Sequence, residues 1–384
     1  MKRKLTAFIL TLTIALSLNV GAFAADTFSL NYDSLALKPG EKTVLSVSTG
    51  ENVNWTSSNP NVAQVNGGVV TASSLGSAAI TATAPNGRQS TCTVNTVHKG
   101  IDVSYFQGNI SWADVKNSGI DFAIIRTGYG NENPEVQTDK NFASNYDGAK
   151  ANGIKVGAYH VSYALTPQQA EQEAQMCLNI LNNRKLDYPV FIDIEQPSQR
   201  ELPKEQAAAV ASAFCNYINK AGYKAGIYSN TNYFYGNLSA PQLDCYDKWV
   251  AHWDVNKPNY NGPYTMWQYK CGNVPGINGT VDLDYSYQEY PNNSELKDCR
   301  LISDTGDTLN LSEGKTYQFK FTPNGITDMP LFTTGNKGVV QSVYQKQQGA
   351  SYYYKIKAVG KGCTSVYSTQ KNEKPIRRCV ITVN

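Results

Sequence analysis

Between residues 98 and 291 the chain alternates short apolar runs with amphipathic ones, and this alternation restricts its fold more than any other feature. The strand-like runs are KGIDVSY, DFAIIRTGYG, IKVGAYHVS, YPVFIDIE, KAGIYSN, KWVAHW, YTMWQYK and TVDLDYS. Helical stretches separate the first five. TPQQAEQEAQMCLNILNNRK opens on Thr166 as N-cap, with Pro167 in the first helical position and Gln169 closing a capping box. LPKEQAAAVASAFCNYINKAGY places its apolar residues at helical spacing. The last three runs follow one another too closely for crossover helices, which need about a dozen residues. Alternating strand and helix predicts a parallel sheet. Eight strands with about five helices predict a closed α/β barrel that exhausts its helices near its end. A doubly wound open sheet is the competing topology.

The flanking segments follow a different pattern. Residues 26–97 read as short strands of Val, Thr, Ile and Ala between Asn-Pro, Gly-Gly and Asn-Gly turns, which predicts a small β-sandwich. WTSSNPNVAQV, GVVTA and GSAAITAT in this segment resemble the bacterial Ig-like domain of group 2. Residues 298–384 have a similar rhythm. Both segments end by running from a glycine turn through a Thr/Ser strand and a polar turn to a last strand bearing a cysteine, Cys92 in one and Cys379 in the other. A second Ig-like sandwich is expected there. Such modules serve as spacers or weak surface binders.

The first residues place Lys2, Arg3 and Lys4 before an apolar run that ends in Ala22-Phe23-Ala24, the pattern of a secretory signal over residues 1–24. No later segment is long and apolar enough to cross a bilayer. The expected mature protein is secreted, extracellular or wall-associated, and monomeric. Cleavage removes three bases and no acid, so 34 basic residues less these three equal the 31 acidic ones. Net charge therefore gives no case for binding nucleic acid. Eight cysteines without a CxxC pair, and only three histidines, point away from a zinc site. In an exported chain disulfides are the default expectation. Cys177 and Cys215, on the helices before and after the fourth strand, make one plausible pair, and Cys245 and Cys271 another.

In a parallel barrel the chemistry gathers at the carboxyl ends of the strands. Asp102 ends the first strand, Asp193 and Glu195 the fourth, and Asp282 with Asp284 the eighth. Residues i and i+2 of a strand share a face, so Asp193 and Glu195 are expected to point together. Carboxylates crowded in one mouth have their pKa values driven apart, which is what glycoside hydrolysis requires: one protonated acid and one anion. Tyr159, Tyr228, Trp253, Trp267 and Gln268 lie at the same strand ends and suit stacking on sugars and hydrogen bonding to them. His160 and His252 fit as polar supports. Two acids spaced i, i+2 are common, and a carboxylate cluster can instead hold Ca²⁺ or Mg²⁺. The joint pattern of acids at three strand ends and aromatics at four favours catalysis without a metal or cofactor. No GxSxG elbow, glycine-rich phosphate loop or HExxH motif is present.

Taken in order, KGIDVSYFQGNISWADVKNSGIDFAIIRTGYG, GAYHVS, FIDIE, GIYSN, WVAHW, MWQYK and VDLDYS resemble the glycoside hydrolase family 25 lysozymes, the N-acetylmuramidases. The resemblance covers about Lys99 to Tyr287. It implies a TIM-type barrel of five β/α units plus three strands, (β/α)5β3, and cleavage of the β-1,4 bond between N-acetylmuramic acid and N-acetylglucosamine in bacterial peptidoglycan. It implies that Glu195 is the general acid and that Asp193, Asp102 and Asp282 are the other active-site acids. The rival expectation is a cell-surface protein that binds glycan without cutting it.

Overall fold

The structure, a computed structural model, describes residues 27–290, 300–306, 308–324, 326, 328–371 and 375–384. The expected signal segment 1–24 and Cys299 lie outside them.

Eight strands close a barrel in chain order: β1 (His98–Val103), β2 (Phe122–Tyr129), β3 (Lys155–Val161), β4 (Val190–Asp193), β5 (Ala225–Asn230), β6 (Asp247–Ala251), β7 (Met266–Gly272) and β8 (Val281–Ser286). Neighbours from β1 to β7 pair in parallel. Helices occupy the first five connections: α1 (Trp112–Asn117), α2 (Phe142–Ala151), α3 (Pro167–Leu181), α4 (Lys204–Lys220) and α5 (Thr231–Tyr235). The capping box forms at the start of α3, where the Gln169 amide donates to Thr166 Oγ1 at 3.3 Å and Gln169 Oε1 accepts from the Thr166 amide at 3.1 Å. Ala170, Ala174 and Cys177 on α3 and Ala207, Ala208, Ala211 and Cys215 on α4 are buried. Their small side chains let the two helices pack closely against each other and the barrel wall.

The last strand departs from the sequence expectation. β8 runs antiparallel to both β7 and β1. Only residues 273–280 link β7 to β8, too few for a crossover but enough for a hairpin. The acids read as the carboxyl end of a parallel eighth strand therefore lie at the start of a reversed one. Asp282 sits directly opposite Asp102 and still reaches the mouth. Asp284 lies one step deeper, opposite Gly100 and Gln268.

Phe122, Ile124, Phe191, Trp249 and Met266 fill the barrel interior, joined by Tyr188 and Tyr290. Glycines opposite these rings make the room. A Cβ on Gly100 would fall 2.2 Å from the Phe122 ring, and one on Gly226 would fall 2.4 Å from the Phe191 ring and 2.9 Å from the Asp247 carbonyl oxygen.

The expected disulfides do not form. Cys177 Sγ accepts from Thr127 Oγ1 at 3.6 Å and Cys215 Sγ donates to the Gly226 carbonyl at 3.5 Å, so each thiol is turned to the wall. Cys245 Sγ donates to the Gln242 carbonyl at 3.3 Å, and Cys271 is exposed on β7.

Each flanking segment is a pair of sheets. The first joins Ser34–Leu37, Gln89–Thr96, Gly76–Thr83 and Asn54–Ser57 in one sheet and Lys42–Val44, Val69–Ala72 and Ala63–Asn66 in the other. In the C-terminal segment Leu301–Ser303, β9 (Thr316–Pro323), β11 (Ser351–Ala358) and β10 (Val340–Gln348) form one sheet, and Thr308–Leu311, Ile376–Val383, Gly362–Thr369 and Leu331–Thr334 the other. The likeness of the two chain segments has a structural counterpart. Both final hairpins start on a glycine in a conformation that side chains resist, Gly76 at φ +143° and Gly362 at φ +140°. Both place a buried cysteine, Cys92 and Cys379, in the partner strand. The first sandwich runs into β1 with only Val97 between, and Lys38 pairs with Asp121 at 2.7 Å beside the amino end of β2.

Replacing Gly226 with Ala is expected to destabilise the barrel by about 1–3 kcal/mol, the usual range for overpacking. Chemical unfolding measures this, and an unchanged midpoint would mean that the Phe191 ring has room to retreat.

Candidate active site

The carboxyl ends of β1 and β4 and the start of β8 bring Asp102, Asp193, Glu195, Asp282 and Asp284 to one mouth. Asp102 and Asp193 are buried, and Asp284 is wholly so. Burial of a charged carboxylate without compensation costs several kcal/mol, so the surroundings of each acid determine its protonation. Asp102 accepts a 2.7 Å hydrogen bond from Gln268 Nε2. Desolvation, then Asp282, pushes its pKa up to about 7. Asp284 accepts from Trp249 Nε1 at 2.8 Å. Burial, then the neighbouring Asp102, holds its pKa well above the usual range.

Asp193 ends β4. Its Oδ1 is buried and makes no hydrogen bond among the described residues. Desolvation, then the neighbouring Glu195 and Asp102, raises its pKa well above the ordinary carboxylate value, and Arg126 opposes the shift. Glu195 lies just past the strand on the loop that follows, with its side chain open to solvent. Its pKa is nonetheless raised, by desolvation in the cleft and then by Asp282. Asp282 is itself raised by desolvation, with a hydrogen bond from Cys271 opposing.

A buried clamp fixes the Glu195 loop. Ser229 Oγ donates to the Ile194 carbonyl at 2.5 Å. Tyr233 Oη donates to the carbonyls of Glu195 at 3.0 Å and Gln196 at 2.9 Å. Gln199 Oε1 accepts from the Gln196 amide, while its Nε2 donates to Ser162 Oγ at 3.2 Å. Ser162 in turn donates to the buried Glu173 at 2.6 Å. Neither Glu173 nor Gln199 stands out in the sequence, because their role depends on α3 and the β4 loop meeting in space.

Tyr159, Tyr228, Trp253 and Gln268 come together as expected. Gln268 Oε1 accepts from both Tyr228 Oη and Trp253 Nε1 at 2.9 Å, and Trp253 is 47% exposed. The Tyr159 phenol keeps its proton, its pKa held well above 10 by burial and by Asp102. Trp267 does not join them. Being one residue from the inward Gln268, it faces the outside of the wall, only 2% exposed and packed on Tyr269 and Tyr285. It offers no ring to a ligand.

The histidines are supports, and His160 lies outside the mouth. His160 is buried behind the wall between Thr127 Oγ1 and the Gly130 carbonyl, both at 2.9 Å, and desolvation lowers its pKa to about 4. His252 Nδ1 accepts from the Asn259 amide, and its carbonyl accepts from Trp267 Nε1. The sequence reading missed Arg126, a cation on the inward face of β2. Its Nε donates to Asp139 at 2.9 Å, and its guanidinium lies 5.0 and 5.2 Å from the Tyr105 and Phe106 ring centroids. A lone arginine inside the apolar run FAIIRTG was the available signal. Among the described residues no three His, Cys, Asp or Glu side chains are arranged to hold a metal ion.

A closed barrel whose mouth gathers carboxylates of differing proton affinity is the build of a glycoside hydrolase. Residues 101–277 match the glycosyl hydrolases family 25, and residues 24–94 match the bacterial Ig-like domain of group 2. The chain is 33% identical over 187 residues to the autolytic lysozyme of Clostridium acetobutylicum, covering 48% of this chain and 55% of that one. Over 197 residues it is 32% identical to the uncharacterized protein YegX of Escherichia coli K12, covering 49% of this chain and 69% of that one. Over 204 residues it is 30% identical to lysozyme M1 of Streptomyces globisporus, covering 48% and 66%. The chain thus spans about half the length of the autolytic lysozyme. It belongs to glycosyl hydrolase family 25 through its barrel.

The raised acids set a pH dependence of stability. A carboxyl that holds its proton more tightly folded than unfolded makes stability fall as pH rises between the two pKa values. For Asp102 that window runs from 3.8 to about 7. Asp102→Asn should therefore be more stable than wild type at pH 7.5, on the order of 1–3 kcal/mol, with the gain shrinking toward pH 4. Urea midpoints at the two pH values test this, and an equal gain at both would rule out proton linkage as its source.

Proposed function

We propose that this protein is a secreted or wall-associated lysozyme that hydrolyses the β-1,4 bond between N-acetylmuramic acid and N-acetylglucosamine in bacterial peptidoglycan, using a (β/α)5β3 barrel of TIM type. One observation carries the reading: a solvent-reaching acid with a raised pKa, Glu195, sits two residues from a buried carboxyl, Asp193, whose Oδ1 has no hydrogen-bond partner among the described residues. The names of two relatives, an autolytic lysozyme and a lysozyme, support it.

Glu195 protonates the glycosidic oxygen as the bond breaks and later takes a proton from the incoming water. Asp193 stabilises the positive charge that develops on the sugar, directly or by orienting the substrate's own N-acetyl oxygen as nucleophile. The neighbouring Tyr159 phenol stays protonated and can donate at the same position. Asp102 and Asp282 set the proton affinities of the pair and hold substrate. Trp253, backed by Gln268, offers a ring face to a sugar. The retention of all these acids in one mouth argues against a surface protein that binds glycan without cutting it.

Incubating the protein with purified peptidoglycan and identifying the new reducing ends tests the reading. Muramic acid at the reducing end is the expected product; release from chitin but not peptidoglycan would redirect the substrate. Glu195→Gln keeps size and hydrogen bonding but removes the proton donor, so the rate should fall ~10²–10⁴-fold. A variant retaining more than about a tenth of the wild-type rate would remove Glu195 from the acid role.

A further inference from the structure

The sheet containing β9, β10 and β11 has one face in the core of the C-terminal sandwich and one outside. Phe319, Phe321, Tyr352, Tyr354 and Ile356 take the core face. The strand registers fix the other. Lys320, Tyr353 and Lys346 form one row across β9, β11 and β10; Gln318, Lys355 and Tyr344 form the next; Thr316, Lys357 and Gln341 form the third. Directly paired residues point to the same side, so four lysines and two tyrosines interleave on one outer surface. Among the described residues none of the four lysines has a carboxylate within ion-pair distance. Rings order two of them, Lys346 and Lys355, instead. Lys346 Nζ lies 5.6 Å from the Tyr344 centroid and 5.8 Å from that of Tyr353, and Lys355 Nζ lies 5.9 Å from Tyr344. Asp304, at the sheet edge, accepts from the Lys320 backbone amide at 3.0 Å.

We propose that this face binds an anionic polymer of the cell wall, a phosphodiester-linked chain of polyol or sugar units, and so holds the barrel on its substrate. The proposal rests on the reading of the barrel as a wall hydrolase. Three features select this partner. The cations are all lysines, which meet phosphate as point charges. The tyrosines between them present flat apolar rings with a hydroxyl rim, which suits polyol and sugar units. The surface is an open pleated face three strands wide, shaped for an extended chain rather than an enclosed ligand. A bilayer partner would call for a cluster of large apolar anchors. The exposed large apolar side chain on these strands is Val343, at the bulge in β10.

The test uses the full chain carrying Glu195→Gln, so that binding is read without cleavage, with purified poly(glycerol phosphate) as probe. The parent should bind in a salt-sensitive manner. Changing Lys320, Lys346, Lys355 and Lys357 together to Gln should weaken binding by roughly a hundredfold. Circular dichroism and the thermal midpoint should not move, since all four side chains lie outside the core. Walls stripped of phosphodiester polymer should retain the parent no better than the lysine variant. Equal binding of parent and variant to the polymer would overturn the proposal, as would undiminished retention on stripped walls. Equally tight binding to a DNA oligonucleotide or to phosphatidylglycerol vesicles would also overturn it, by reducing the face to a nonspecific cation surface. In the Glu195-intact background the lysine variant should hydrolyse soluble peptidoglycan fragments at the parental rate. A failure of the hydrolase reading would show there, and a failure of the docking reading only in the binding assays.

Discussion

Asp102, Asp193 and Asp284 cannot all be ionised at such burial inside one barrel mouth, and much of the architecture is organised around that conflict. Part of it is resolved by retaining a proton: burial, then Asp102, holds the pKa of Asp284 well above the usual carboxylate range. Part is resolved by fixed dipoles, with Trp249 Nε1 on Asp284 and Gln268 Nε2 on Asp102. Arg126, 13 residues from Asp139 along the chain and bonded to it, places a positive charge against Asp193 without becoming its direct partner. Asp193 is thus left strained toward protonation with a free oxygen. A carboxyl in that state gains from any substrate group that brings positive charge or an N–H.

The barrel is what makes the conflict tolerable. Side chains alternate in and out along each strand, so Gln268 is inward and Trp267 outward with no freedom to exchange. Glycines at 100 and 226 give up side chains so that the Phe122 and Phe191 rings can seal the interior. With the interior closed by rings, the acids above are desolvated from below and open only toward the mouth. Desolvation is accordingly the first cause of every raised carboxyl there.

Much of this was legible in the sequence, and the exceptions have specific physical causes. Strand period and acid placement put Asp102, Asp193 and Asp282 at the barrel mouth, where the structure has them, because an acid ending an apolar run has few structural uses. The i, i+2 rule gave the right neighbour for Asp193 for an incomplete reason: β4 ends at Asp193, and Glu195 is aimed by the Tyr233, Ser229 and Gln199 clamp rather than by strand pleat. The direction of β8 was readable from the eight residues before it, but strand–helix alternation elsewhere set a parallel expectation. Trp267 was misplaced because a strand end shows which residues are near the mouth, while a shift of one residue decides which of them face it. The expected disulfides failed because neighbouring helices share a surface without their cysteines facing each other. Cys177 and Cys215 both turn inward to wall atoms instead.

The two charged surfaces of the protein divide its work. A mouth crowded with carboxyls, one of them reaching solvent, repels dense negative charge and suits a glycan whose hydroxyls and amides meet single protons and lone pairs. The lysines of the C-terminal sheet have the opposite preference. Were those lysines set around the mouth, they would depress the carboxyl pKa values that burial raises and so remove the proton that cleavage needs. Placing cation and acid in separate domains lets each keep its own proton affinity. It also confines the salt sensitivity of the proposed wall attachment to a surface where screening does not reach the desolvated acids.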